Sequence, residues 1–362
     1  MGSHRRKVAV GLSGGVDSSV AAALLRQKGY DVIGLTMEIF DGSIAVKDSE
    51  AHACYGPGEK EDLDRAASIC KKLGIPFHVV DLKREYKSHV IKYFRDEYLG
   101  GRTPNPCVVC NDRLKFGFLL EKAKEAGVDF EFFATGHYAR IEKSEDRFLL
   151  KKAVDSSKDQ SYFLYTLTPE RLSRLFFPLG SYQKRHVREL ARFFSLETAD
   201  RPESQDFVAG GDYACFFTKE EVKEGNIVDV TGKNLGKHRG ITHYTVGQRR
   251  GLGIAADRPL YVISIDAQNN QIIVGERQNL FSKGLIASKP NLIAIDRLDR
   301  PYNVKAKIRL QHREADATVL PHENGKAKIL FDEPQLAVSP GQSVVLYSDD
   351  IVLGGGIIEQ AF

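Results

Sequence analysis

The segment Gly11-Leu12-Ser13-Gly14-Gly15-Val16-Asp17-Ser18-Ser19 limits what this chain can fold into more than any other stretch. An apolar run, Val8-Ala9-Val10, precedes it, and a helix-forming run, Ala21-Ala22-Ala23-Leu24-Leu25, comes after it. Strand, glycine-rich turn and helix in that order gather free backbone N–H groups and the positive helix end at one point. A phosphate is stabilised there. Gly14 and Gly15 tolerate φ > 0 and let an anion approach the backbone, while Ser13, Ser18 and Ser19 add hydroxyl donors. The loop is not GxxxxGK[ST], because it lacks the lysine, and it is not a dinucleotide fingerprint.

The next hundred residues keep the same rhythm of strand and helix. Asp31–Met37 and Phe77–Asp81 read as buried strands, residues 61–73 as an amphipathic helix with Cys70 on its core face, and Tyr86–Leu99 as a helix. Residues 41–60 form a polar loop or lid containing His52 and Cys54. Residues 113–126 give another helix and Phe130–Thr135 another strand. Strands alternating with helices predict an α/β fold with a doubly wound parallel sheet, whose ligand lies beyond the C-terminal strand ends. Residues 165–205 read as helical and basic, with Arg171, Arg174, Lys184, Arg185, Arg188 and Arg192. As a pattern they suit a solvated face.

From about residue 206 short β-rich runs replace this pattern, and from about 285 they alternate with turns as in a small β-barrel. A chain of 362 residues is long for one core. The expected domains are 1–205, catalytic with a helical part; 206–284, small and β-rich; and 285–362, a C-terminal barrel. No apolar run reaches membrane-spanning length and the N-terminus has no secretion-signal core, so a cytoplasmic protein without a membrane partner is expected. A formal charge of +4 permits a nucleic-acid partner without establishing one. Five cysteines, an odd number in a long chain, speak against a disulfide framework.

Gly101-Arg102-Thr103-Pro104-Asn105-Pro106-Cys107-Val108-Val109-Cys110-Asn111 presents two cysteines on what its prolines predict to be a rigid loop. A CxxC pair serves as half a zinc site, a redox dithiol or cluster ligands. No second CxxC or closely spaced histidine pair completes a zinc site, which favours reactive sulfur.

Five segments together carry a resemblance: the Ser13–Ser18 loop, the CxxC segment, Gly136-His137-Tyr138-Ala139, Lys158-Asp159-Gln160-Ser161-Tyr162-Phe163-Leu164, and Tyr244–Gly253. In this order, and over nearly the whole chain, they are similar to the tRNA-specific 2-thiouridylases. These are ATP-pyrophosphatases with the SGGxDS (PP-loop) signature. The resemblance implies ATP-dependent thiolation of the wobble uridine, by adenylation of the uracil oxygen and its replacement with sulfur. ATP and Mg²⁺ are then the cofactors, and tRNA and a sulfur donor (a carrier protein or inorganic sulfide) the partners. By the same resemblance Gly11, Leu12, Ser13, Gly14, Gly15, Val16, Asp17, Ser18, Met37 and Gly136 contact ATP, with Asp17 at the Mg²⁺–pyrophosphate end. Asn105, Pro106 and Cys107 line the target base, His137, Lys158, Asp159, Gln160, Arg309 and Gln342 contact tRNA, and the basic region 165–205 approaches it. Cys110 matches one cysteine of the family's sulfur relay.

The relay's other cysteine, which carries a persulfide, falls at Val208, within Glu203-Ser204-Gln205-Asp206-Phe207-Val208-Ala209. Valine cannot carry sulfur. Three routes remain: Cys107 working with Cys110, Cys215 moving in, or Cys107 and Cys110 as ligands of a [4Fe–4S] cluster with Cys54 or Cys215 as the third. The alternatives to the whole reading are another PP-loop adenylating enzyme and an inactive tRNA-binding homologue.

Overall fold

The computed structural model describes residues 5–46, 53–145, 147–199, 206–208 and 213–362. His52, Glu203, Ser204, Gln205 and Ala209 lie outside the described residues. The chain divides into two compact units: residues 1–90, 107–212 and 350–352, and residues 91–106, 213–349 and 353–362.

The first unit is built on a five-stranded parallel sheet. Its strands are β1 (Lys7–Gly11), β2 (Asp31–Glu38), β4 (Phe77–Asp81), β5 (Phe132–Thr135) and β8 (Leu175–Phe176), in the order β4-β2-β1-β5-β8. Val8, Ala9 and Val10 of the central strand are fully buried, as expected of a parallel strand covered on both faces. Around the sheet lie α1 (Val16–Gln27), α2 (Glu59–Leu73), α3 (Lys83–Tyr86), the later helices α6 (Leu119–Glu125), α7 (Pro169–Leu172) and α8 (Lys184–Phe193), the pair β3 (Ala53–Tyr55) and β9 (Asp206–Val208), and a hairpin, β6 (Arg140–Ser144) and β7 (Arg147–Lys151). One core joins α1, α2 and α8 to the sheet, through Val20, Leu24, Cys70, Val187 and Ala191 among others. Cys70 is buried there, and burial pushes its thiol pKa up to about 12.

In the second unit, α4 (Lys92–Leu99) sets Phe94 against Tyr213 and Phe216. Strands β10 (Gly225–Asp229), β11 (Asn234–His238), β12 (Tyr261–Asp266) and β13 (Gln271–Gly275) form a sheet in the order β11-β10-β13-β12. Six more, β14 (Phe281–Leu292), β15 (Tyr302–Lys307), β16 (Ala315–His322), β17 (Lys326–Leu336), β18 (Ser343–Ser348) and β19 (Ile351–Ala361), run in the order β14-β17-β16-β15-β18-β19. β19 pairs back onto β14, so the barrel is closed and no edge is left unpaired.

Three local expectations need correction. The stretch 86–99 is interrupted by a π-helical turn, Lys87–Ile91. Of the expected helical stretch 165–205, the described residues 165–199 are only partly helical: Thr168 caps the short α7, accepting from Arg171 N at 3.3 Å, and Leu175–Phe176 adds a sheet edge. Most consequentially, Cys107 and Cys110 are helical rather than in a loop. Pro106 opens α5 (Pro106–Val109), which runs into a nine-residue π-helical segment, Cys110–Phe118. Proline suits the first turn of a helix, where its missing N–H has no partner to lose.

Gly34 on β2 tests the packing of this core, because a methyl there would collide with the Cys70 sulfur. Gly34→Ala is expected to destabilise the protein by about 1–3 kcal/mol. Cys70→Ala should lessen that cost in the double variant, and a double-mutant cycle from urea unfolding measures the coupling.

Candidate active site

The loop between β1 and α1 is held by its own atoms. Leu12 N–H donates to Leu35 O at 2.7 Å, Ser13 N–H to Ser18 Oγ at 3.2 Å, and Ser19 Oγ–H to Gly15 O at 2.7 Å. The fully buried Ser19 hydroxyl therefore braces the turn instead of facing a ligand. Gly14 adopts φ +67, and a Cβ there would stand 2.7 Å from the Asp62 carbonyl oxygen. Gly15 precedes α1 with extended backbone and no side-chain cap, which leaves the first N–H groups of a twelve-residue helix directed at the loop. Gly136, after β5, closes on this helix start: a Cβ would lie 2.6 Å from Ser18 N.

Asp17 is fixed from two directions. Lys184 Nζ donates to both carboxylate oxygens at 2.7 Å, and the Tyr138 hydroxyl donates to Oδ1 at 2.8 Å. Lys184 opens α8, and by its sequence pattern it is one of a run of basic residues on a helix. Its side chain is only 11% exposed. Nothing in the local pattern announces a pair 167 residues apart.

A cavity of about 320 Å³ lies at the C-terminal ends of β1, β2 and β5. Gly11, Leu12, Ser13, Gly15, Val16, Asp17 and Ser18 line one side, with Met37, Gly136, His137 and Gln160. Cys110 and Cys54 line it too, as does Lys115. The phosphate-type loop and a cysteine of the CxxC pair therefore share one cavity. Gln160 is held through Oε1, which accepts from Tyr138 N–H at 2.9 Å.

Four of its side chains have altered acidity, one of them Glu59, whose carboxyl pKa is raised by burial against the Ile39 and Phe40 N–H bonds. Burial pushes the Cys110 thiol up to about 11; the Lys115 charge opposes the rise and Cys54 adds to it. Cys54 lines the cavity and is exposed, and the surrounding protein raises its pKa by desolvation against the same lysine. His137 is buried beside Phe116 and Phe177, with Nδ1 2.7 Å from Thr135 Oγ1. Desolvation first, then Lys115, hold its pKa well below the usual histidine value, so it is neutral.

The remaining expected residues stand elsewhere. Lys158 and Asp159 do not line the cavity; the Asp159 carboxylate accepts from Ala153 N–H at 2.9 Å and Ser161 Oγ–H at 2.7 Å. Cys107 is half-buried in the first unit. Asn105 and Pro106 belong to the second, where Asn105 N–H donates to Tyr93 Oη at 3.2 Å. Gln342 Nε2 donates to Thr103 O at 3.1 Å and Pro104 O at 3.0 Å, steadying the backbone just before Asn105. Arg309 donates to the carbonyls of Val246 and Ala337, each at 3.1 Å, and to Ser339 Oγ. Val208 is fully buried on β9, opposite Tyr55 of β3.

A thiol with a pKa near 11 is about one part in a thousand ionised at pH 8. Alkylation of Cys110 by iodoacetamide should accelerate about tenfold per pH unit and still be rising at pH 10. Peptide mass spectrometry reads this directly, and a plateau near pH 8.5 would contradict the burial argument.

Residues 6–211 match the family described as tRNA methyl transferase HUP domain, residues 217–276 the tRNA methyl transferase PRC-barrel domain, and residues 282–358 the Aminomethyltransferase beta-barrel domain. The chain is 50% identical to the tRNA-specific 2-thiouridylase MnmA of Acetivibrio thermocellus, over 98% of this chain and 99% of that protein. It is 48% identical to tRNA-specific 2-thiouridylase MnmA 2 of Thermoanaerobacter pseudethanolicus, over 98% of each. Identity to the tRNA-specific 2-thiouridylase MnmA of Clostridioides difficile is 47%, over 98% and 99%. The domain titles speak of methyl transfer, whereas the full-length relatives are named for thiolation. With a glycine-rich SGGxDS loop at the head of its parallel sheet, the chain belongs to the tRNA-specific 2-thiouridylase family of PP-loop enzymes.

Proposed function

We propose that the protein is a cytoplasmic, ATP-dependent sulfurtransferase that converts the wobble uridine of tRNA to 2-thiouridine. The observation that carries this reading is that Gly11–Ser13, Gly15–Ser18 and Cys110 line the same cavity. Uracil oxygen cannot leave as oxide, so it must first be made into a leaving group. The uracil O2 attacks the α-phosphorus of ATP, pyrophosphate departs with the electrons of the broken P–O bond, and N3 loses its proton. Backbone N–H groups of the Ser13–Ser18 loop meet the phosphates, and Mg²⁺ shares their charge. A sulfide-level nucleophile then adds at C2, the C2–O bond breaks, and AMP leaves with that electron pair while the S–H proton passes to N3. The sequence has no net redox change.

The target base must leave its stack to reach such a cavity. Asn105, Pro106 and Cys107 would contact the base, as the family resemblance implies, and neutral His137 stands at the cavity wall. Residues 206–284 and 285–362 would serve as modules that hold tRNA, Arg309 and Gln342 among them, beside Lys158, Asp159 and Gln160.

Sulfur would be delivered at Cys107 and Cys110, because Val208 offers no thiol. Cys54, on the strand opposite Val208, opens onto the same cavity as Cys110. Cys54, Cys107 and Cys110 all act on the buried Tyr86 phenol, whose pKa burial raises first and these thiols raise further. Among the described residues no three His, Cys, Asp or Glu side chains close around an ion-sized point. A [4Fe–4S] cluster seats each thiolate on a separate iron, and Cys54, Cys107 and Cys110 are the thiols that would hold it. When bound, such a cluster supplies sulfide-level sulfur without a protein persulfide. A sulfur-carrier protein or inorganic sulfide would replenish it.

Nucleoside mass analysis after anaerobic incubation with unmodified tRNA, ATP–Mg²⁺ and sulfide tests the reading. 2-Thiouridine is expected, and tRNA-bound protein that yields neither it nor AMP overturns the proposal. Asp17→Ala should lower AMP formation by about 10²-fold or more while leaving tRNA binding nearly unchanged. Cys110→Ser should still release pyrophosphate but make no thiouridine. Cys54→Ser should lose thiolation and iron together, whereas Cys215→Ser should lose neither.

A further inference from the structure

Lys115 is the one lysine or arginine among the described residues that line the cavity. It is half-buried, and among the described residues it makes no ion pair and no hydrogen bond. The cavity's carboxylates are engaged elsewhere. Glu59 accepts from Ile39 and Phe40 N–H at 2.8 and 2.9 Å, Asp62 pairs with Arg65, and Asp17 is held by Lys184. An ammonium group with no counter-ion among the described residues, in a partly enclosed space, suits an anionic ligand.

Its position comes from unusual backbone. Cys110 and Lys115 are five residues apart, and in an α-helix residues so spaced lie about 140° apart around the axis. Here Cys110–Phe118 is π-helical. Its wider turn and i→i+5 hydrogen bonds bring residues five apart close to one face. Both side chains accordingly reach the same cavity, and the lysine's charge is felt at Cys54, Cys110 and His137. The lysine therefore stands on the sulfur side of the cavity.

Resting on the thiolation reading above, we propose that Lys115 is a catalytic residue that binds the phosphate of the adenylated uridine and stabilises AMP as it leaves. The sulfur nucleophile attacks C2, and the phosphate is joined to C2 through a single oxygen. A cation beside the sulfur residues therefore meets the α-phosphate, while the Ser13–Ser18 loop meets the pyrophosphate. When the C2–O bond breaks, its electron pair goes to the AMP oxygen, and the Lys115 ammonium is where that new negative charge is neutralised. The nine-residue π segment is what this placement requires.

Lys115→Met keeps the length of the side chain without its charge, and Lys115→Arg keeps the charge. In single turnover with tRNA, ATP–Mg²⁺ and sulfide, Lys115→Met should form AMP and 2-thiouridine about 10²-fold more slowly. Its affinities for ATP and tRNA should stay within about threefold of the parent, because the loop and Mg²⁺ bind the remaining phosphates. AMP alone should bind about tenfold more weakly, and Lys115→Arg should recover at least about a tenth of the parent rate. If Lys115→Met turns over within threefold of the parent, the proposal fails while the thiolation reading stands. It fails equally if ATP binding falls as far as the rate and arginine restores nothing, since the lysine is then structural. If the parent protein makes no 2-thiouridine, both readings fall together.

Discussion

The contact on which the site depends is the ion pair between Asp17 and Lys184. Both oxygens of the carboxylate are taken by one ammonium group, and Tyr138 adds a third donor. Such a pair is expensive to desolvate and gains little over an apolar contact in net stability. Its value here lies in geometry. It ties the first turn of α1 to the first residue of α8 and to the segment after β5, and so fixes the phosphate-type loop against Gly136. Removing either partner would leave a charge uncompensated in a half-buried place, which is far costlier than losing the pair itself.

From that anchor the rest of the first unit obeys the logic of a parallel sheet. Strand order β4-β2-β1-β5-β8 places the C-terminal ends of β1, β2 and β5 side by side. Each strand end contributes residues to one cavity: Leu12, Ser13 and Gly15–Ser18 after β1, Met37 and Ile39 at the end of β2, and Gly136 and His137 after β5. The CxxC segment enters the same space from a helix rather than a strand end. On the proposed function, cleavage of ATP and delivery of sulfur would fall to one partly enclosed volume, which would restrict water that could hydrolyse an adenylated base.

Much of this is legible in the chain itself. The apolar runs at Val8–Val10, Asp31–Met37 and Phe77–Asp81 are strands, the loop stands between β1 and α1, and the C-terminal β-runs close into a barrel. Local pattern carries that information, because a buried parallel strand and a glycine-rich turn leave their mark in consecutive residues. Where pattern misleads, the cause is different. Pro104 and Pro106 suggest a loop, but one proline in a helix's first turn is compatible with helix, and Pro106 occupies that place. Lys115 is invisible to periodicity arguments because they assume 3.6 residues per turn, and the segment containing it is π-helical. Lys184 is invisible for another reason: its partner lies 167 residues away, and only the packing of α8 against α1 brings them together. From sequence Cys54 cannot be told from Cys215 as the third cluster ligand, since no sequence rule says that its short strand pairs with the one bearing Val208.

The central claim is chemical: the uracil oxygen at C2 is itself transferred to AMP, in the cavity that also holds Cys110. The most direct measurement uses tRNA whose target uridine carries ¹⁸O at C2, with unlabelled ATP and water, and weighs the AMP formed in a single turnover. One ¹⁸O in every AMP, matched by one 2-thiouridine, is the predicted result. AMP without the label, with ¹⁸O appearing in water or remaining in the base, would contradict it.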